Sequence, residues 1–393
     1  MEFHDSVQAI TDEMIAIRRE LHRHPELGTQ EHETHARICA LLDKWGIEHR
    51  DIADTGVLGI IRGGKPGNVV GIRADIDALP LQEDKTRSYC SLNDGVMHAC
   101  GHDVHTTVLL GVAKLCSEMG SELPGTVKLF FQPAEETVGG GERMVQQGAC
   151  EDPKVDYSIG LHVQPYMDAG FAELRYGQLN AACDTVTIIV RGKAGHGAYP
   201  ERGNDAIVAA AGVITALQTF VSRSISPLNS AVLTVGTIHG GVRSNIVADE
   251  VTMTATLRTL DPETRSFAAR RITEIAQGVA QGYGCQAEVE VELGYSALIN
   301  TDAVVDVIRE NAVRLLGEDH VLMKQYPSLG GEDFQYFSDA STRGGAFYHL
   351  GCGNREKGIT AALHNQQFDV DERCIPVGIE LQLNILMELL TKK

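Results

Sequence analysis

Asn68-Val69-Val70-Gly71-Ile72-Arg73-Ala74-Asp75-Ile76-Asp77-Ala78-Leu79-Pro80 is an apolar run that closes on two acids. A continuous rather than alternating apolar run predicts a strand buried on both faces. Thr126-Val127-Lys128-Leu129-Phe130-Phe131 repeats the arrangement and ends in Gln132-Pro133-Ala134-Glu135-Glu136. Tyr157-Ser158-Ile159-Gly160-Leu161 is a third such run and ends at His162. Between the first two, residues 106–119 have helical spacing, with Val108, Leu109, Val112 and Leu115 inward. Strands separated by helices predict a parallel sheet with helices on its faces. In such sheets ligands bind outside the carboxyl ends of the strands. Asp75, Asp77, Glu135, Glu136 and His162 would emerge there together. Singly, each reads as a solvated turn or a structural histidine; their convergence is what points to function.

One step outward lies Met97-His98-Ala99-Cys100-Gly101-His102-Asp103-Val104-His105, with one thiol, three imidazoles and one carboxylate. In an extended segment, residues two apart face the same side, so Cys100 and His102 could face one ion. Thiolate and imidazole suit zinc and neighbouring transition metals. The plainer reading is a helix-start turn with a buried free cysteine. If Cys100, His102, Glu136, His162 and His364 converge, they offer more donors than one tetrahedral ion needs. Two ions about 3.5–4 Å apart would then be served. Glu135, beside a ligand but not needed as one, is placed to take a proton from water.

The flanks complete the layout. Helices are predicted over 6–22 and 34–45, and strands near 47–52 and 56–62. Beyond 180 the pattern changes: strand 182–192, helix 204–221, strands 230–239 and 247–259, helix 262–282, strand 286–293. That β-α-β-β-α-β order is a split βαβ sandwich. The first pattern resumes with helix 302–316, strand 346–350 and helix 371–391. The expected class is α/β, a mostly parallel sheet flanked by helices with an inserted ferredoxin-like lid or dimerisation domain. The expected bounds are 1–179 and 294–393 for the first domain and 180–293 for the second. The insert carries His196 in Gly195-His196-Gly197-Ala198-Tyr199-Pro200, the turn Gly240-Gly241-Val242-Arg243-Ser244-Asn245, and Arg258. As a set these suit an anionic substrate group, since arginine offers a fork to a carboxylate.

A chain of 393 residues predicts two domains. A formal net charge of −19 argues against nucleic acid or an anionic membrane as partner. No basic segment followed by an apolar run opens the sequence, and no stretch of about 18 apolar residues is expected to span a membrane. Nine scattered cysteines fit a reducing compartment, so cytoplasmic placement is expected.

The chain resembles the M20 peptidases, in particular their amidohydrolase branch acting on N-acyl amino acids. The segments that carry the resemblance run in the family's order across nearly the whole chain. They are His22-Arg23-His24-Pro25-Glu26, 73–80, 97–103, 131–136, Gly160-Leu161-His162-Val163, 195–198, Gly330-Gly331-Glu332-Asp333-Phe334 and Leu363-His364-Asn365. The resemblance implies Cys100, His102, Glu136, His162 and His364 as ligands of two divalent ions (Zn, Mn, Co or Ni), with Cys100 the candidate bridge. It implies Glu135 as general base, and Asp77 or Asp75 as the acid that orients a ligand. It further implies His196 as a lid histidine acting on the oxyanion, commonly from the partner subunit of a homodimer. Asn245, Arg258 and Gly331 would then be substrate contacts. The implied reaction is hydrolysis of an N-acyl amino acid to a carboxylic acid and a free amino acid. A dipeptidase on the same fold and a non-catalytic metal-binding protein are the alternatives. Two departures stand out: Asn365-Gln366-Gln367 follows the last histidine where Asn-Pro is common, and Arg243 stands where the family favours small residues. Arg243 would favour a substrate with a second acidic group.

Overall fold

The computed structural model describes residues 3–85 and 87–393. Two compact units are present: residues 1–177, 299–326 and 333–393 form the first, and 178–298 with 327–332 the second. The second unit therefore extends beyond the expected 180–293 at both ends and takes in a separate six-residue segment.

The first unit is built on an eight-stranded sheet. Lys65–Asp75 lies at its centre, parallel to Pro124–Gln132 on one side and to Tyr157–Asp168 on the other. Ile72 pairs with Leu129 and with Ile159, so the three carboxyl ends stand level. Gly345–Gly353 adds a further parallel strand beside Tyr157–Asp168. Every residue from Val70 to Asp75 is buried, as a strand covered on both faces requires. The hairpin of Glu48–Ile52 with Gly56–Arg62 forms one antiparallel edge. Two three-residue strands at the other edge, Ala172–Leu174 and Val321–Met323, have no sequence signal; so short an edge strand buries too little to impose a pattern.

Helices flank the sheet. His102–Met119 and Cys374–Thr391 cross closely: a Cβ on Gly111 would lie 2.4 Å from Ile379 Cδ1, and one on Gly378 3.0 Å from Val108 Cγ2. Residues this small are what let the two helices approach.

Three expected local features differ. The helix expected from 106 begins at His102, because Gly101 takes a left-handed φ of +88° and turns the chain straight into it. Cys100 and His102 are therefore not on one extended segment; a turn brings them together. The strand expected to end at His162 runs on to Asp168. Ala206–Ser224 and Cys374–Thr391 are long and apolar enough to pass a length-and-composition test for crossing a membrane, which buried core helices also pass. The second is mostly buried in the core of the first unit.

The second unit is a four-stranded antiparallel sheet. Its spatial order is Ala231–Gly240, Glu250–Thr259, Ala182–Arg191, Gln286–Leu293. With helices Ala206–Thr219 and Pro262–Gly282 between strands, this is the βαββαβ arrangement. Val186, Ile188 and Val190 alternate into a core shared with Val251, Met253, Ala255 and both helices. Asp205 and Asp261 cap those helices through the backbone N–H groups of Ile207, Val208 and Thr264.

Candidate metal centre

Five side chains from four chain segments meet at the carboxyl edge of the large sheet. Cys100 Sγ lies 3.3 Å from His162 Nε2 and 3.3 Å from His364 Nε2. His364 Nε2 is also 3.0 Å from Glu136 Oε1. The ligand atoms of Cys100, His102 and His162 lie within 4.8 Å of one another. So do those of Cys100, Glu136 and His364, and those of His102, Glu135 and Glu136. Cys100, His102 and Glu136 each belong to two of these groups.

The imidazoles are oriented from behind. His102 Nδ1 is 3.0 Å from Asp77 Oδ1 and 2.9 Å from the Asp77 carbonyl. With its proton held on Nδ1, His102 presents Nε2, which is buried and makes no hydrogen bond. An orphaned buried ring nitrogen is what a metal ligand looks like before the ion is added. Asp77 Oδ2 also accepts the Glu136 backbone N–H at 3.0 Å. One carboxylate thus places two candidate ligands. His162 Nδ1 donates to its neighbour's carbonyl at 2.7 Å, which turns Nε2 toward Cys100.

Asp75 does something else. It is the last residue of its strand, paired with Arg73 Nη1 at 2.7 Å and with His105 Nδ1 at 2.6 Å. His105 Nε2 in turn accepts the Val163 N–H at 2.9 Å. Arg73 also reaches Asp333 at 3.0 Å, which receives Gln132 and the Gly141 N–H. The Gly330–Phe334 motif therefore ends in a buried carboxylate that ties the sheet to the turn after Glu136.

Two strained backbone positions fall here. His364 and Ala134 have left-handed φ of +59° and +56° although neither is glycine, a conformation that tertiary contacts must hold. The Ala134 N–H donates to Glu31 Oε1 at 2.8 Å, and Thr55 donates to Glu31 Oε2 at 2.6 Å. Glu31 lies in no motif, and although Asp103 and His105 lie in the Cys-His stretch, the partners of all three are distant in sequence. Asp103 meets Arg18 Nε at 2.7 Å and His22 Nδ1 at 2.8 Å, anchoring the first turn of the metal-site helix.

The electrostatics call for cations. Burial, then Glu136 and Glu135, push the Cys100 thiol well above its ordinary range. Burial opposes charge on His102, yet Asp75 and Asp77 raise it to about 10. Burial would raise Glu136, but the hydrogen bond from His364 and the charge of His102 hold it below its usual range. A bound cation would favour the thiolate and the neutral imidazoles instead. One thiol, three imidazoles and one carboxylate, with an orphaned nitrogen among them, fit divalent transition metals.

The remaining expected site residues lie in the second unit. His196 pairs with Ile246 in a two-residue ribbon, and the Gly197 N–H donates to the Asn245 carbonyl at 2.8 Å. Arg258 pairs across the sheet with Cys183. A Cβ on Gly331 would lie 2.8 Å from Cys183 Sγ. The structure thus gathers His196 with Asn245, and Arg258 with Gly331 around Cys183, a residue that no motif singled out.

In class these features are those of a metal-dependent hydrolase, and comparison with known proteins supplies the family. The chain belongs to peptidase family M20/M25/M40, whose family model matches residues 71–388. It is 38% identical over 384 residues to an N-acetyldiaminopimelate deacetylase of Enterococcus faecalis, covering 96% of this chain and 98% of the relative. It is 35% identical over 379 residues to thermostable carboxypeptidase 1 of Saccharolobus solfataricus, covering 95% and 94%. A dinuclear metal-binding peptidase of family M20 from Bacillus subtilis superposes with a TM-score of 0.85 at 32% identity, covering 98% and 99%.

Proposed function

We propose that this chain hydrolyses the amide bond of N-acyl amino acids, using two divalent ions held by Cys100, His102, Glu136, His162 and His364. The observation that carries the reading is His102, fixed through Nδ1 by Asp77 with a buried, unbonded Nε2 beside Cys100, Glu135 and Glu136. When bound, the ions acidify a water and polarise the scissile carbonyl. Glu135 is the base that receives the water proton and returns it to the leaving amine. Asp77 holds the His102 ring and the Glu136 backbone in place. The similarity to an N-acetyldiaminopimelate deacetylase supports an N-acyl amino acid as substrate.

His196 is proposed to act on the oxyanion, and Asn245, Arg258 and Gly331 to hold the substrate carboxylate. Arg243, exposed on its turn, is proposed to favour a second acidic group; Arg243→Ala should then narrow the rate difference between acidic and neutral substrates. A homodimer is proposed from the resemblance, supported by exposed Ile207, Val208 and Val242 in the second unit. Nine unpaired cysteines support a reducing, cytoplasmic setting.

The test is amino acid release from N-acetyl, N-benzoyl and indoleacyl amino acids by metal-loaded protein, alongside free dipeptides. Glu135→Gln should lower kcat by about 10²–10⁴-fold with the metal content unchanged. Full activity in that variant would remove the base assignment. The likeness to a carboxypeptidase supports a second reading, release of a carboxyl-terminal residue from peptides. Turnover of peptides alone would favour it.

A further inference from the structure

Away from that site, the helix His32–Lys44 and the edge strand Glu48–Ile52 bring together a second set of ligand atoms. His35 and Cys39 are four apart and so share one helix face; Asp51 reaches them from the strand. His35 Nε2 lies 3.5 Å from Cys39 Sγ and 3.2 Å from Asp51 Oδ1, and all three ligand atoms fall within 4.8 Å of one another.

We propose that His35, Cys39 and Asp51 form an additional binding site for one zinc-like divalent ion, with solvent completing its coordination. Zinc–sulfur, zinc–nitrogen and zinc–oxygen bond lengths in a tetrahedron require about 3.6 Å between sulfur and nitrogen and about 3.3 Å between nitrogen and oxygen. The observed separations of 3.5 and 3.2 Å meet both. The imidazole is also set for the task. His35 Nδ1 is 3.1 Å from the Thr55 carbonyl, which can only accept, so the proton sits on Nδ1. Nε2 then points at a carboxylate and a thiol, which a divalent cation would bridge. Carbonyl-anchored histidines of this kind are the usual metal-ligand arrangement.

Asp51 is 78% exposed and His35 21% exposed at the side chain, so an ion can enter from solvent. Binding forms bonds from the metal to sulfur, nitrogen and oxygen and releases the Cys39 thiol proton to water. Burial, then Asp51 and Asp43, push that thiol above its ordinary range, so uptake strengthens as pH rises. The ion would clip the helix to the sheet edge, and its donors are separate from the five of the main centre.

The experiment uses the full chain, stripped with a chelator and then titrated with Zn²⁺. Iodoacetamide labelling of Cys39 is followed by peptide mass, and bound zinc is counted by equilibrium dialysis. Zinc at ten times its dissociation constant should slow Cys39 labelling about tenfold. Cys39→Ser and Asp51→Asn should each bind one zinc fewer per chain than the wild type while amide hydrolysis persists. Asp51 is exposed, so its variant guards against a folding defect in the cysteine variant. Equal labelling with and without zinc, or an unchanged zinc count in both variants, would overturn the site and leave a hydrogen-bonded trio. Because the count is a difference between variants, it stands whether or not the main centre performs the proposed reaction.

Discussion

Asp77→Asn tests the orientation of the metal site most directly. The native carboxylate accepts two hydrogen bonds, from His102 Nδ1 at 3.0 Å and from the Glu136 N–H at 3.0 Å. An amide of the same shape has one acceptor oxygen, and its NH₂ would face a donor at the other contact. Either His102 loses its tautomer restraint or the Glu136 backbone loses its anchor. Losses of this kind cost about 10–100-fold in metal affinity, or about 1.4–2.7 kcal/mol. The assay is competition for Zn²⁺ against a chromogenic chelator. Asp75→Asn is the contrast: it breaks the buried pair with Arg73, so about 3–5 kcal/mol of stability should go. A zinc dissociation constant for Asp77→Asn within twofold of wild type would refute the reasoning. So would a larger affinity loss in Asp75→Asn than in Asp77→Asn.

Gly101→Ala should fail on two counts, a backbone at φ +88° and a new Cβ 2.3 Å from Val163 Cγ2; a loss of about 1–3 kcal/mol from backbone strain alone is expected in denaturant titration. Gly111→Leu should separate the crossing helices at Ile379 and lower Tm, with overpacking costing about 1–3 kcal/mol. Glu173 concerns acid stability: burial opposes its charge, but His349, Tyr166 and Lys324 hold its carboxyl down at about 2 from 4.5. A depressed carboxylate stabilises the fold above the unfolded value and loses that contribution as pH falls from 4.5 through 2. Glu173→Gln should therefore be less stable at pH 7 by at most about 3 kcal/mol, with the gap to wild type closing by pH 2. Chelation should abolish amide hydrolysis, and added zinc or manganese should restore it.

Much of this architecture was legible in the chain. The buried strands announced themselves as apolar runs, and their carboxyl ends as the places where Asp77, Glu136 and His162 emerge, because burial on both faces leaves a period-free signal. The alternation in 182–192 likewise betrayed a one-sided sheet. What only the tertiary structure decided were matters of a single hydrogen bond. Asp75 and Asp77 are chemically identical and two apart; it is the position of the His102 and His105 rings that gives one to each. The helix start at His102 depended on the left-handed turn at Gly101, packed against Val163 from another strand. Glu31 and Cys183 have no local pattern, and the i, i+4 pair of His35 and Cys39 is joined by Asp51 only through space. Periodicity reports burial, which is a property of one segment. Which donor faces which acceptor is a property of several segments at once, and that is settled only when they pack.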